Sequence, residues 1–386
     1  MADDGALVGR ILHPPGDGIV YGPGVVAGQL ADVLAREGIL RPFVVTTGSV
    51  VRAGLADGVL AALGVESAGV FDGSREHTPA PVVLAAAAMA RDADADGFVS
   101  VGGSSVVDLT KGVALVVAEG DERIGPRPAG GRPPATARPP KRPHVALPTT
   151  LSGAEFTAAA GITDPTSGRK RAYVDPALAP RWVLLDPELT RATPPALWAA
   201  TGMKALADTI EVLCSRRATP LSDAVALSSL AMLDADLPRS TADPDDLVRR
   251  GRCQVAVAMT LLQLVGVGVG MVAALRHQLG GALGVPHGEA STIVLPHVVR
   301  WNAEAASGPL GRAAAALGRS DAAAVVERIA QLVTELGLPP RLRDVAVERA
   351  SFPHVAELVL ADGALATNPR PVNGPDDVIE VLEAAW

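Results

Sequence analysis

The stretch Gly97–Lys111 reads GFVSVGGSSVVDLTK, and its reading decides the fold. A short run rich in β-formers, Gly97 to Val101, passes through Gly102, Gly103, Ser104 and Ser105 into a helical pattern holding Val106, Val107, Asp108 and Lys111. Small residues at a strand-to-helix turn let backbone N–H groups approach a pyrophosphate, and the helix dipole favours negative charge there. A tight turn would ask for small residues too, so the segment gains meaning from its neighbours.

Upstream, Phe43–Thr47 (FVVTT), Ala53–Leu63, Gly69–Phe71 and Pro81–Arg91 alternate strand-like with Ala- and Leu-rich helical runs, and downstream Val145–Pro148 and Trp182–Leu185 read as further strands. This order predicts a parallel sheet with crossover helices. After Asp186 the strand signal fades, and Ala196–Arg216, Pro220–Leu237 and Asp245–Leu279 read as helices. The expectation is an α/β dinucleotide-binding domain over residues 1–188 and an all-helical domain over 189–386, since 386 residues exceed the usual size of one core. Between two strands, Gly120–Pro143 (GDERIGPRPAGGRPPATARPPKRP) reads as a surface loop.

Composition narrows the function classes. With 48% hydrophobic and 20% charged residues the chain is globular, and with 3% aromatic its core must rest on Ala, Val and Leu. A net charge of -8 gives no electrostatic reason to bind nucleic acid or an anionic membrane, so small molecules are the expected partners. Two cysteines, Cys214 and Cys253, without a CxxC pattern argue against a disulfide framework or thiolate metal site. The opening MADDGALVGR has neither the basic nor the apolar region of a signal peptide, which predicts a cytoplasmic enzyme. Val255–Leu275 is uncharged over a bilayer's length, but Gly266, Gly268 and Gly270 cluster inside it, no positive-inside flank or second span accompanies it and it runs directly into a polar motif, so it reads as a buried core helix.

Two more clusters carry chemistry. Pro148–Glu155 (PTTLSGAE) puts hydroxyls after a strand, where they suit ligand recognition at a sheet's crevice or the capping of a following helix. Arg276–Gly288 (RHQLGGALGVPHG) runs on to Leu295-Pro296-His297, so that three of the seven histidines fall within 21 positions. A lone histidine is usually structural, whereas this clustering points to a site.

Taken together, these segments resemble the iron-containing alcohol dehydrogenase superfamily. Its dehydroquinate synthase-like fold joins a dinucleotide-binding α/β domain to an all-helical one, with the site in the cleft between them. The resemblance covers nearly the whole chain: Tyr21-Gly22-Pro23-Gly24, the glycine-rich turn, the PTT segment, GITDP (161–165), DPELT (186–190), Gly202-Met203, and VPHGEA to LPHVVRWN. His77-Thr78-Pro79, the short form PTTLSGAEFT and Asn368-Pro369-Arg370-Pro371-Val372 look like the maleylacetate reductase branch, which reduces a carbon–carbon double bond with NADH or NADPH.

The resemblance implies a nicotinamide cofactor held by Gly102, Gly103, Ser104, Ser105, Asp108, Thr149 and Thr150, although Ser104 replaces a third glycine. Thr47 stands where many relatives carry an Asp that selects against a 2′-phosphate, which leaves NADPH acceptable beside NADH. Metal-bearing members present four ligands at positions that here read Lys204, Asp208, Ala273 and His287. Lysine at neutral pH has no free lone pair and alanine has no donor, so Asp208 and His287 alone would make a weak, largely hydrated site, and no catalytic metal is expected.

Lys204 is notable because the chain has four lysines among its 34 basic residues. Spaced i, i+4 from Asp208, it forms either a surface ion pair or a fixed charge standing where the metal would, facing His287 and polarising a substrate. His277 matches the position beside the nicotinamide and is expected to relay a proton. The leading expectation is a metal-independent NAD(P)H-dependent reductase of a small oxo-acid or enone, forming a homodimer. The alternatives are a non-redox dehydratase, cyclase or lyase of a biosynthetic pathway using Lys204 as acid, base or imine former, and a non-catalytic binding protein.

Overall fold

The computed structural model describes residues 9–11, 16–124, 141–164 and 170–386, and it divides into two compact units, Met1–Ala192 and Thr193–Trp386. Most of the Pro/Gly/Arg-rich loop (125–140), the first eight residues and the end of the GITDP motif at Pro165 lie outside the described residues.

In the first unit, alternation of side chains builds a sheet with two buried faces. Strands β2 (Gly18–Tyr21), β3 (Pro42–Val45), β4 (Gly69–Phe71), β5 (Gly97–Gly102), β6 (His144–Pro148) and β9 (Trp182–Leu185) run parallel in the order β2-β9-β6-β5-β3-β4. A short strand β1 (Gly9–Ile11) adds antiparallel to β2 at one edge. On one face Phe43, Val45 and Phe98 pack beneath helices α4 (Ala80–Asp92) and α5 (Ser104–Glu119). On the other, Val44, Val99, Val101, Val145 and Leu147 pack beneath α1 (Val25–Arg36) and α3 (Leu55–Ala62). Successive residues point to opposite faces of a strand, so strands buried on both sides read as unbroken apolar runs.

Besides the edge strand β1, three strands carry too weak a signal to be read from the sequence. These are Gly18–Tyr21 and the antiparallel hairpin β7 (Ala159–Thr163) and β8 (Lys170–Val174), whose short stripe of buried residues, Ala160, Ile162 and Tyr173, is too brief to read as a strand pattern. Between β3 and α3 a five-residue helix, α2 (Gly48–Arg52), is N-capped by Thr47.

The second unit is helical: α6 (Pro195–Cys214), α7 (Pro220–Ala242), α8 (Leu247–Val267), α9 (Met271–Leu283), α10 (His287–Asn302), α11 (Ser307–Ala316), α12 (Ala322–Glu335), α13 (Phe352–Leu360) and α14 (Pro375–Ala384). Its centre is α6, buried almost without interruption from Trp198 to Cys214. The helix expected over Asp245–Leu279 is two helices bent by 98°. Gly268 ends α8 at φ +79°, where an added Cβ would lie 2.5 Å from Thr367 Oγ1, so the glycine is there because a side chain cannot be. No single helix among the described residues is long and apolar enough to cross a membrane.

Candidate functional site

In the first unit the strand order reverses between β5 and β3, beside the carboxyl ends of β5 and β6. Such switch points are where open α/β sheets bind ligands. Gly102 closes β5 at φ +154° with Val106 Cγ2 2.6 Å from where its Cβ would be. Gly103 begins α5, and no side chain caps that helix, so its first N–H groups are left to a ligand. A Cβ on Gly103 would stand 3.1 Å from Thr150 Cγ2 and 3.2 Å from Thr150 Oγ1, which shows how closely the PTT segment approaches the turn. Thr149 N–H donates to Gly102 O at 3.1 Å, whereas the buried Thr150 hydroxyl meets no partner within the protein. An uncapped helix start, two glycines with no room for side chains and an orphaned buried hydroxyl fit a pyrophosphate. Ser104, the departure from three glycines, is exposed at the start of α5.

The other expected nucleotide residues sort differently. Thr47 does sit at the end of β3, where its Oγ1 pairs with Ser49 Oγ at 2.8 Å. Ser105 lends its carbonyl to the Thr78 hydroxyl at 3.4 Å. Asp108 is turned instead to the Gly161 N–H at 3.2 Å, so it ties the β7 edge to α5 and does not face the uncapped helix start. His77 and Thr78 take positive φ angles of 59° and 49°, and Thr163 holds both through its side chain to His77 O (2.6 Å) and its N–H to Thr78 O (3.0 Å). Consecutive left-handed residues without glycine are strained and persist only where their surroundings over-determine them. The HTP and GITD segments are thus one assembly against the first turn of α5.

In the second unit the face Lys204, Asp208, Glu211 of α6 meets α9. Lys204 Nζ lies 2.7 Å from Asp208 Oδ2, and Arg276 Nη1 lies 2.5 Å from Asp208 Oδ1, so each oxygen of one carboxylate faces a cation. The carboxylate is 0% exposed and the Lys204 side chain 15%, which removes the surface ion-pair reading. Burial pushes the Asp208 carboxyl up, but Arg276 and Lys204 outweigh it and hold the group below its ordinary range. Arg276 was not singled out in the sequence, although it stands directly before His277.

Neighbouring side chains also cap α9, whose own N-cap is Gly270. Glu211 accepts from Val272 N at 2.7 Å and Ala273 N at 3.2 Å, and Asn368 Oδ1 accepts from Met271 N at 3.1 Å. Burial raises the Glu211 carboxyl to about 7, against the pull of Arg276 and with the push of Asp208. Asn368 opens the NPRPV motif and exchanges amide hydrogen bonds with Asn302, the last residue of LPHVVRWN, so both motifs serve the start of α9. Directly after Arg276, the half-exposed His277 places Nδ1 3.0 Å from Asp362 Oδ2 and meets the His287 ring edge-on at 6.1 Å between centroids.

At the four positions matched to metal ligands the donors do not fit a cation. Asp208 is engaged by two positive groups, Ala273 offers no donor, and no group of three His, Cys, Asp or Glu among the described residues converges as a metal site would.

Residues 16–187 match the family described as iron-containing alcohol dehydrogenase, and residues 198–386 match the C-terminal region of the Fe-containing alcohol dehydrogenase family. The chain is 31% identical over 378 residues to lactaldehyde reductase of Escherichia coli strain K12, covering 95% of this chain and 97% of the relative. It is 30% identical over 368 residues to maleylacetate reductase of Pseudomonas knackmussii, covering 95% of each. Among solved structures, maleylacetate reductase from Agrobacterium tumefaciens superimposes with a TM-score of 0.81 at 28% identity, covering 98% of each chain. A 1,3-propanediol oxidoreductase superimposes with a TM-score of 0.87 at 28% identity, covering 98% of this chain and 100% of the other. With its two domain types in order along one chain and relatives aligned nearly end to end, this protein belongs to the iron-containing alcohol dehydrogenase family, with maleylacetate reductases among its relatives.

Proposed function

We propose that this NAD(P)-dependent oxidoreductase works without a catalytic metal and reduces a small oxo-acid or enone. The observation that carries the reading is the pairing of Lys204 and Arg276 on the two oxygens of Asp208. Two cations against the Asp208 carboxylate, with the neighbouring Glu211 carboxyl raised to about 7 and so only partly ionised, leave a net positive charge in a largely buried position, which is what a Lewis acid would supply. A fixed charge aimed at an oxygen that turns negative lowers the barrier because no solvent has to reorganise. When bound, the nicotinamide supplies the hydride; the Gly102–Ser105 turn, Thr149 and Thr150 hold it, and Thr47 leaves room for NADPH as well as NADH.

Lys204 polarises the substrate carbonyl or holds its carboxylate, and a positively charged site favours an anionic substrate over a neutral alcohol. Arg276 keeps Asp208 ionised and in place. His277, oriented through Nδ1 by Asp362, presents Nε2 to relay a proton, with His287 beside it. An ammonium clamped on a buried carboxylate carries no lone pair for imine formation, so the geometry favours reduction over Schiff-base chemistry. The relatives named as reductases of lactaldehyde and maleylacetate support carbonyl or enone reduction.

The test is oxidation of NADH and NADPH by purified protein of measured metal content, with saturated and unsaturated oxo-acids and with neutral aldehydes, each with and without a chelator. Turnover of oxo-acids without stoichiometric iron or zinc is expected. Activity that appears only on adding a divalent metal, or only on neutral substrates, would sink the reading.

A further inference from the structure

We propose that Lys111 is a positioning residue for nucleotide binding: its ammonium clamps the segment after Thr149-Thr150 onto α5 and so fixes both threonines against the glycine-rich turn. The proposal rests on the reading that the glycine-rich turn after β5 holds the nucleotide. Lys111 is fully buried, and its Nζ donates to Ala154 O at 2.7 Å, Ala159 O at 2.9 Å and Thr157 Oγ1 at 3.1 Å. An ammonium has three donors, and here three acceptors meet them. All three acceptors lie in the stretch that directly follows the two threonines. The same helix holds the stretch again through Asp108 and Gly161, while Thr149 N–H fixes its near end to Gly102. The helix whose first turn is left to the phosphates is therefore the helix that sets where the hydroxyls stand.

Residue choice supports the assignment. Of 34 basic residues only four are lysine, and Lys111, Lys141 and Lys204 all have side chains largely withdrawn from solvent and set against oxygen acceptors. A compact ammonium can direct donors to three acceptors around one point, which a planar guanidinium cannot.

The clamp also gives binding a pH dependence. Burial lowers the Lys111 pKa to about 8, against the attraction of Asp108 and Glu155. The groups that face it are Asp108 on its own helix, Glu155 on the short turn Ala154–Phe156, and His144 on β6; Lys170 on β8 lies near Asp108. His144, bonded to Ser100 Oγ at 2.7 Å, is lowered to about 3 by burial and by Lys111, so it stays neutral across the useful range. As pH rises through about 8, Lys111 gives up its charge and one donor, the segment loosens, and nucleotide affinity falls.

Calorimetric titration of the full chain with NADH, near pH 7 and near pH 9, tests this. Wild-type affinity is expected to fall about fivefold to tenfold across that interval. Lys111→Met is expected to bind about tenfold more weakly near pH 7 and to show a flat profile. Thr157→Val, which removes one acceptor and keeps the ammonium, is expected to begin losing affinity at lower pH than wild type, since its charged form is less supported. A folded Lys111→Met protein with wild-type affinity and profile would overturn the proposal. If that variant fails to fold, a wild-type affinity unchanged between the two conditions overturns it instead. Wild-type protein that binds no NADH in either condition defeats the nucleotide reading and the clamp together; tight binding indifferent to pH and to Lys111 defeats the clamp alone.

Discussion

The glycine-rich turn proposed for the nucleotide and the cation cluster tolerate change in different ways. The turn is made chiefly of backbone, its donors being helix N–H groups and its shape set by Gly102 and Gly103, so an exposed serine at position 104 leaves it intact. The cluster is made of side chains, so its chemistry depends on which residues stand there: Lys204 and Arg276 each face one oxygen of Asp208 and leave that carboxylate already holding two cations. A site built on the main chain can outlast substitutions that convert one built on side chains.

That contrast can be broken most forcefully at Asp208. Asp208→Ala leaves Lys204 and Arg276 without their shared carboxylate and is expected to cost about 3–5 kcal/mol, read as a lowered denaturant midpoint. Because the Asp208 carboxyl is held below its ordinary range, the stabilisation it provides is present at neutral pH and above the unfolded carboxyl's pKa, and is lost as pH falls through the folded value. Acid unfolding of wild type should therefore be steeper than that of a folded Asp208 variant.

Next in size is Lys204→Met, expected to lower turnover about 100-fold while NADH still binds, because only charge developing in the transition state loses its partner. Normal turnover in this variant would remove Lys204 from the chemistry. Gly103→Val tests the other region: its side chain would press on Thr150, and NADH affinity should fall about tenfold with turnover of the bound enzyme nearly unchanged. The smallest effect is expected from Thr47→Asp, which should weaken NADPH relative to NADH by about threefold to tenfold through repulsion of the 2′-phosphate, measured as the ratio of the two kcat/KM values.

Much of the fold was legible because strands buried on both faces leave continuous runs such as FVV and WVLL, and because glycine marks the turn after β5. The hairpin β7–β8 was not, since β7 (AAGIT) holds only one β-branched aliphatic residue and β8 (KRAYV) is largely exposed, too little to set them apart from loops. The break between α8 and α9 was written in Gly266, Gly268 and Gly270 but read as a feature inside one helix; what forces the bend is Thr367 and Asn368, about one hundred residues further on, packed against Gly268 and Gly270. At the candidate site, Lys204, Asp208, His277 and His287 were found through spacing and resemblance. Arg276 and Glu211 escaped because a charged residue in a helix looks the same in sequence whether it faces water or a buried partner.

By itself, then, the sequence determined an α/β unit with a glycine-rich strand-to-helix turn and a helical unit, since these follow from local periodicity and glycine placement. Only the tertiary structure decided that Asp208 carries two cations, that Glu211 and Asn368 cap α9, and that Lys111 secures the segment bearing Thr149 and Thr150. Apart from the i, i+4 contact of Lys204 with Asp208, these pairings join residues 43 to 97 positions apart, and nothing in local sequence encodes either the distance or the dielectric that strengthens them.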